Sequence, residues 1–209
     1  MSDYSIIADA SNCLLKLLRE HVCPDPILSP ESIMLVTPSD KTADFQLGLC
    51  LYEIRELSEM KNSKPYVSVD NVRMRHPKPL SLNYLVFINS RAQIAASAEM
   101  EQRIFGRVIQ ALSDVGEIQL TDINPHLPPG DDQATITLTN NSFEEKVRIW
   151  TSLQTPYQLG VYFTLAPAML PSRIMEDIYR TVRTTLDTKI IPPGAKAGMV
   201  SSLTIERAE

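Results

Sequence analysis

The residues able to do chemistry are few and scattered. The chain holds three histidines, His21, His76 and His126, and three cysteines, Cys13, Cys23 and Cys50. His21 and Cys23 form an H-x-C pair, while His76 and His126 each stand beside a proline. A zinc site takes paired ligands at short spacing from two segments, and a single H-x-C is only part of that. A Cys–His nucleophile pair built from these residues stays open as an arrangement, with nothing else in the sequence to support it. The 7 glycines form neither a phosphate-cradling loop nor a G-x-S-x-G elbow.

The carboxylates cluster as "EMEQR" and "SFEEK". On helices, Glu99 with Arg103 and Glu144 with Arg148 are i,i+4 pairs of favourable polarity, so they read as solvated helix faces. "GDDQ" lacks the calcium-loop pattern. "RMRHPKP" (Arg73, Arg75, His76, Lys78) is a small basic patch without aromatic interleaving. It reads as a contact with an acidic neighbour or as a solvated loop. The expectation is a non-enzymatic binding or structural protein with no catalytic, metal or cofactor-binding residues.

Composition points the same way. The 209 residues carry a net charge of -5, with 44% hydrophobic and 22% charged residues. That suits a globular domain with an extension and argues against a general nucleic-acid binder or direct membrane insertion. No apolar run reaches the roughly 20 residues of a membrane helix. The N-terminal stretch carries Asp3 and Asp9 in place of a basic flank, so the chain is read as made in the cytoplasm. The odd cysteine count fits reduced, buried thiols.

Periodicity supplies the elements that must position these residues. Ile6, Ala10, Cys13, Leu14, Leu17 and Leu18 recur at helical spacing, with Pro24 and Pro26 as the stop. A short strand over Ser32–Pro38 and a strand around "FQLGLCLYEI" read as a hairpin about "SDKTAD". Residues 58–79 read as a long connection with at most one edge strand. In the next strand Leu80, Leu82, Tyr84, Val86 and Ile88 share a face. A helix over about Ile94–Val115 buries Ile104, Phe105, Val108, Ile109, Leu112 and Val115. "EIQLT" and "ATITLT" are short strands. In "SFEEKVRIWTSLQTPYQLGVYFTL", Ser142 and Glu145 have capping-box spacing. Phe143, Val147, Trp150 and Leu153 form a stripe, and the strand that follows Pro156 alternates cleanly. The tail fits a helix or Thr-rich strands equally well.

The fold class expected is α+β, a mostly antiparallel sheet with helices packed on one face. The opposite face, with Gln46, Gly48, Ser81, Asn83, Gln158 and Gly160, is either solvated or meets a neighbour after assembly.

In this order, two runs stand out. One has Glu99 or Glu101 near Arg103, then Gly106, Arg107 and Leu112. The other has Trp150, Leu153, Pro156, Tyr157, Leu159 and Tyr162. Over roughly residues 4–166 the chain resembles the N-terminal domain of the cap, or tail-terminator, proteins of phage-tail-like contractile injection systems. The resemblance implies a tail-terminator-like fold. It also implies a six-fold ring of copies that ends the inner tube and contractile sheath of an assembled particle, without catalysis or cofactor. The competing reading is a small ligand-binding or regulatory adaptor domain.

Residues 1–166 are then the domain and 167–209 an assembly-contact tail. Gln158, Gly160, Tyr162, Met169, Leu170, Arg173, Arg180 and Arg183 are the candidate contacts with other subunits, sheath or tube. Trp150, Phe105 and Phe163 are expected in the core.

Overall fold

The computed structural model describes residues 4–40, 44–60, 66–69, 72–90, 97–120, 133–172, 175–177, 184–186 and 203–205. In chain order the elements are α1 (Ile6–Val22), β1 (Ile33–Leu35), β2 (Leu47–Glu56), β3 (Tyr66–Val69), β4 (Val72–Arg75), β5 (Lys78–Ile88), α2 (Ala98–Val115), β6 (Glu117–Gln119), β7 (Gln133–Leu138), α3 (Phe143–Ser152), β8 (Gly160–Leu170), β9 (Met175–Asp177), β10 (Thr184–Leu186) and β11 (Leu203–Ile205). The α+β class and the mostly antiparallel sheet are as expected.

The main sheet has the order β1-β2-β5-β8-β7-β6. All its pairings are antiparallel except β1 with β2, which is parallel, with Ile33 opposite Leu47. The hairpin expected about "SDKTAD" is therefore not formed. β1 is a separate edge strand, reached through a 3₁₀ turn at Pro30–Ser32.

One face of this sheet holds the larger core. Leu47 and Leu49 of β2, Leu80, Leu82, Tyr84, Val86 and Ile88 of β5, and Val161, Phe163 and Leu165 of β8 lie under the stripes of α1 and α2. The α1 stripe is the one read from the sequence, Ile6 to Leu18 plus Val22. The α2 stripe keeps Ile104, Phe105, Val108 and Leu112, adds Ala111 and leaves Ile109 exposed. Tyr84 stacks on Phe163 at 5.5 Å. Ser11 donates to the Ile7 carbonyl, which uses its single proton, so the Tyr84 hydroxyl donates to Ser11 at 2.9 Å. That bond satisfies both buried hydroxyls and ties α1 to the centre of the sheet.

α1 also reaches both sheet edges. Arg19 donates from Nε and Nη2 to the Ile33 carbonyl on β1 at 3.1 and 2.8 Å. Cys13 Sγ makes a long contact, 3.9 Å, with the Gln119 carbonyl on β6. A helix touching the first and last strands of one sheet requires that sheet to curl around it. Arg107 of α2 donates to the His21 carbonyl at 2.7 Å, satisfying one of the free carbonyls at the end of α1.

The helices do not all pack on one face, and this corrects the expectation. α1 and α2 share a face, whereas α3 covers the other, where Phe45, Cys50, Leu85, Phe87, Trp150 and Tyr162 form a second core. The run Tyr84–Ile88 is buried throughout, as a strand covered on both sides must be.

The chain divides into two compact units, residues 1–63 with 77–172, and residues 64–76 with 173–209. The first contains the main sheet and the helices. In the second, β3 and β4 form an antiparallel hairpin, β9 pairs with β4, and β10 pairs with β11. The connection at residues 58–79 thus supplies two strands, and the described residues beyond 172 are strands. The first unit also runs past residue 166. β8 continues through Pro167 to Leu170, pairing Ala168 with Leu80 and Leu170 with Lys78.

This gives a test of the boundary. A chain ending at residue 166 should lose about 2–4 kcal/mol against one ending at residue 172, because buried Ala168 and three rungs of the β5–β8 ladder go. Urea unfolding followed by Trp150 fluorescence measures it, and equal midpoints would contradict the assignment of 167–170 to the folded unit.

Candidate assembly surfaces

α3 begins as the sequence dictates. The Ser142 hydroxyl accepts from the Glu145 N–H at 3.3 Å, and the Glu145 carboxylate accepts the Ser142 N–H at 2.7 Å. The Ser142 backbone and side-chain hydrogen bonds hold the Glu145 carboxyl below the usual range. The helix ends at Ser152, followed by Gln154 in the left-handed region at φ 57.

The cap sets the helix so that Trp150 faces the sheet, where it is 1% exposed. Its indole N–H donates to the Tyr162 hydroxyl at 2.8 Å. Phe87 meets the indole edge-on at 6.0 Å and meets Phe45 likewise at 5.7 Å. Tyr52 lies edge-on to Tyr162 at 6.3 Å, and Lys146 Nζ sits 5.7 Å from its ring centroid. Gly160 is needed at this contact. A Cβ there would lie 2.6 Å from Leu85 Cδ1 and 2.9 Å from the Val86 carbonyl, and that carbonyl is backbone and cannot swing away.

Towards the other end of this face the side chains turn polar. The β2–β5 register shifts between Leu51 and Glu53, so a bulge at Tyr52 changes the alternation of β2. Glu53 then pairs with Arg55 at 2.7 Å and accepts from Asn83 at 3.0 Å. Asn83 Oδ1 accepts from Thr164 at 2.7 Å. Thr164 has thereby used its proton, so Thr139 donates to it at 3.2 Å. This line of bonds crosses β2, β5 and β8 and leaves the amide of buried Asn83 partnered on both sides.

The expected contact residues fall into three groups. Tyr162 and Met169 are buried within their own chain, and Tyr162 lies under Trp150. Gln158, Gly160 and Leu170 are half-buried, Leu170 against the larger core. Arg173, Arg180 and Arg183 lie outside the described residues. Trp150, Phe105 and Phe163 are in the core.

Outward-facing residues were partly missed. Phe143 does not join the α3 stripe. It is 66% exposed and meets Tyr157 at 5.2 Å, while Leu159, two residues on, is 58% exposed. Helical spacing placed Phe143 with Trp150, but its position in the first turn carries it past the sheet. Gly106 lies on the exposed face of α2, with nothing near an added Cβ. Exposed Ile109 is three residues on. The two runs noted in the sequence therefore sort physically. Trp150, Leu153, Tyr162, Arg107 and Leu112 act inside the fold, whereas Gly106, Tyr157 and Leu159 face out.

Among the described residues no group of three or more His, Cys, Asp or Glu side chains could hold a metal. Among the same residues no helix is long and apolar enough to cross a membrane. One recess they line is an open groove of about 630 Å³ along α1.

This curled mixed sheet with three helices is the fold of tube-terminating cap proteins. The chain covers 91% of its own length on the sheath/tube terminator of the PVC extracellular contractile injection system in its extended state, with a TM-score of 0.64 and 16% identity. Against the tube-terminating cap of the anti-feeding prophage it covers 90%, with a TM-score of 0.57 and 19% identity. It spans 65% and 63% of those two chains. The model of the Pvc16 N-terminal domain matches residues 9–184, and the chain belongs to that family. No curated protein sequence matches it significantly.

Two measurements test this geometry. Gly160→Ala should destabilise by about 1–3 kcal/mol through overpacking, whereas Gly106→Ala should stabilise by about 1 kcal/mol, as expected for an exposed helix-interior glycine. Equal effects in chemical denaturation would remove the distinction drawn between the two glycines.

Titration provides the second. Burial pushes Tyr84 and Tyr162 from 10.0 up to about 12 and Cys50 from 9.0 to about 11, the Trp150 hydrogen bond opposing the rise at Tyr162. Above pH 9 the unfolded chain loses these protons first, while the folded chain keeps them. The stability these three groups contribute is therefore full below pH 9 and is lost between pH 9 and 12. Tyr162→Phe should flatten part of that fall, and an unchanged slope would show that the group is not held protonated.

Proposed function

We propose that this chain is a structural, non-catalytic cap. In this reading, copies join as a six-fold ring on the last layer of the inner tube and contractile sheath of an injection particle and stop further growth. The observation that carries it is family membership over residues 9–184, together with a fold shared along nine-tenths of the chain with two terminating caps. The distribution of polar groups agrees with it. The buried hydrogen bonds described above link strands and helices to one another, so they serve the scaffold.

A ring is a heterologous interface whose rotation closes. It needs two different surfaces on each copy. The exposed Phe143–Tyr157 pair with Leu159 is one proposed contact surface, with half-buried Gln158 and Gly160 beside it. Leu170 and, separately, the tail arginines Arg173, Arg180 and Arg183 are further proposed contacts, towards sheath or tube. Tyr162 and Met169 support these surfaces from beneath. The localisation that follows is an assembled particle.

The test is the mass of the purified chain, alone and mixed with the particle's sheath and tube subunits. A six-fold species, alone or only on tube ends, is the expected result, and a persistent monomer that ignores both partners would sink the proposal. Within it, Phe143→Glu should reduce occupancy of tube ends at least several-fold while Trp150 fluorescence stays that of a buried indole. Charge reversal at Arg173, Arg180 and Arg183 should do the same, and unchanged capping would remove the tail from the interface.

A further inference from the structure

The β1 edge of the main sheet is one place where a copy of this chain could pair with another in an unintended way. An edge strand offers unpaired backbone groups that template strand addition. Which groups β1 offers follows from its register. The Ser32 carbonyl accepts from Gln46, and the Val36 N–H donates to the Leu49 carbonyl, so residues 32, 34 and 36 turn their backbone groups towards β2. Residues 33, 35 and 37 therefore turn theirs outward.

Three of those six outward groups are occupied from within the chain. The Ile33 N–H donates to the Pro30 carbonyl, and the Ile33 carbonyl takes two bonds from Arg19. The Thr37 carbonyl accepts from the Asp40 N–H, and Pro38 ends the edge. Leu35 is left as the open rung, and its side chain is among the exposed apolar ones. With the Thr37 N–H beside it, Leu35 offers a short ladder, and only an incoming strand that also gains the Ile33 carbonyl pairs along the whole of β1.

We propose that Arg19 is a guard on this edge: by holding the Ile33 carbonyl it prevents a second copy of the chain from adding its own β1 to the sheet. Arg19 suits the task for a geometric reason. Its forked donors engage one oxygen at two points, and its half-buried position on α1 presets the fork. The ladder open to a second copy along β1 then stays short, and copies associate through other surfaces. This inference concerns the free edge and holds whether or not the chain is a cap.

The test uses the full chain. Arg19→Met keeps most of the stem and removes the donors. The expected result is a several-fold rise, over the wild type, in mass above the wild-type species, read by size-exclusion chromatography with light scattering at micromolar concentration. Trp150 emission should stay buried-like. Adding Leu35→Pro removes the outward N–H of the open rung, and an edge strand accommodates a proline that faces away from its partner. The double variant should return to the wild-type distribution. Should Arg19→Met fail to fold, Arg19→Lys carries the test, with the same direction and a smaller effect, since a single ammonium replaces the fork. A folded variant with the wild-type distribution, or association that survives Leu35→Pro, overturns the proposal.

Discussion

One helix holds the curl of the main sheet. α1 buries its apolar stripe against β2, β5 and β8, bonds Tyr84 at their centre through Ser11, and reaches the outer strands through Arg19 and Cys13. Burying an aliphatic side chain is worth about 1.5–3 kcal/mol, so the stripe supplies the driving force and the hydrogen bonds set the geometry. Without α1 the larger core would be open, and both edges of the sheet would be free. α2 depends on the same helix, because Arg107 is spent on the end of α1.

Covering the sheet on its second face has a different logic. α3 is only ten residues long and presents one large side chain. Such a short helix gains little by itself in water. Its docking is instead concentrated in Trp150, whose ring packs against Phe87 and whose N–H needs the Tyr162 hydroxyl. An unpaired buried indole donor would cost about 1–3 kcal/mol, so the Trp150–Tyr162 pair fixes orientation as well as contact. The rest of the face is kept dry by aromatic edges near α3 and is threaded by the Glu53–Asn83–Thr164 bonds beyond it.

How much of this was legible in the sequence depends on range. Local signals held. The capping box at Ser142, the alternation of Leu80 to Ile88 and the α1 stripe all depend on neighbours within a few residues. The location of α3 was a long-range matter. Its face was read as outward because Gln46, Gly48, Ser81 and Gly160 are small or polar, although Leu85 and Phe87 interrupt that pattern. Those two residues, in an unbroken apolar run, were the available signal that both faces are covered. The bulge at Tyr52 and the parallel pairing of β1 left no local mark. The outward groups of Ile33 in that strand are met by Arg19 and Pro30, contacts of long and short range that the strand's own alternation does not show. Among the candidate contact residues, period-two alternation correctly set Tyr162 opposite Phe163, but it could not show that a helix of the same chain would cover Tyr162.

The proposed role as a terminator would place a further requirement on the fold. Growth of a filament needs each new subunit to present the surface that its predecessor presented. Refusing growth needs a scaffold that offers few groups able to pair nonspecifically. In this chain half of the outward backbone groups of the β1 edge are spent internally, the amide of buried Asn83 is satisfied on both sides, and the exposed Phe143–Tyr157 pair with Leu159 forms an apolar patch. Association must then be decided by side chains on discrete patches. Side-chain contacts are specific to their partner in a way that backbone pairing is not, because every strand edge carries the same donors and acceptors. A scaffold closed in this way can be selective about what it binds, and that selectivity, more than any reactive group, is what the arrangement of this chain provides.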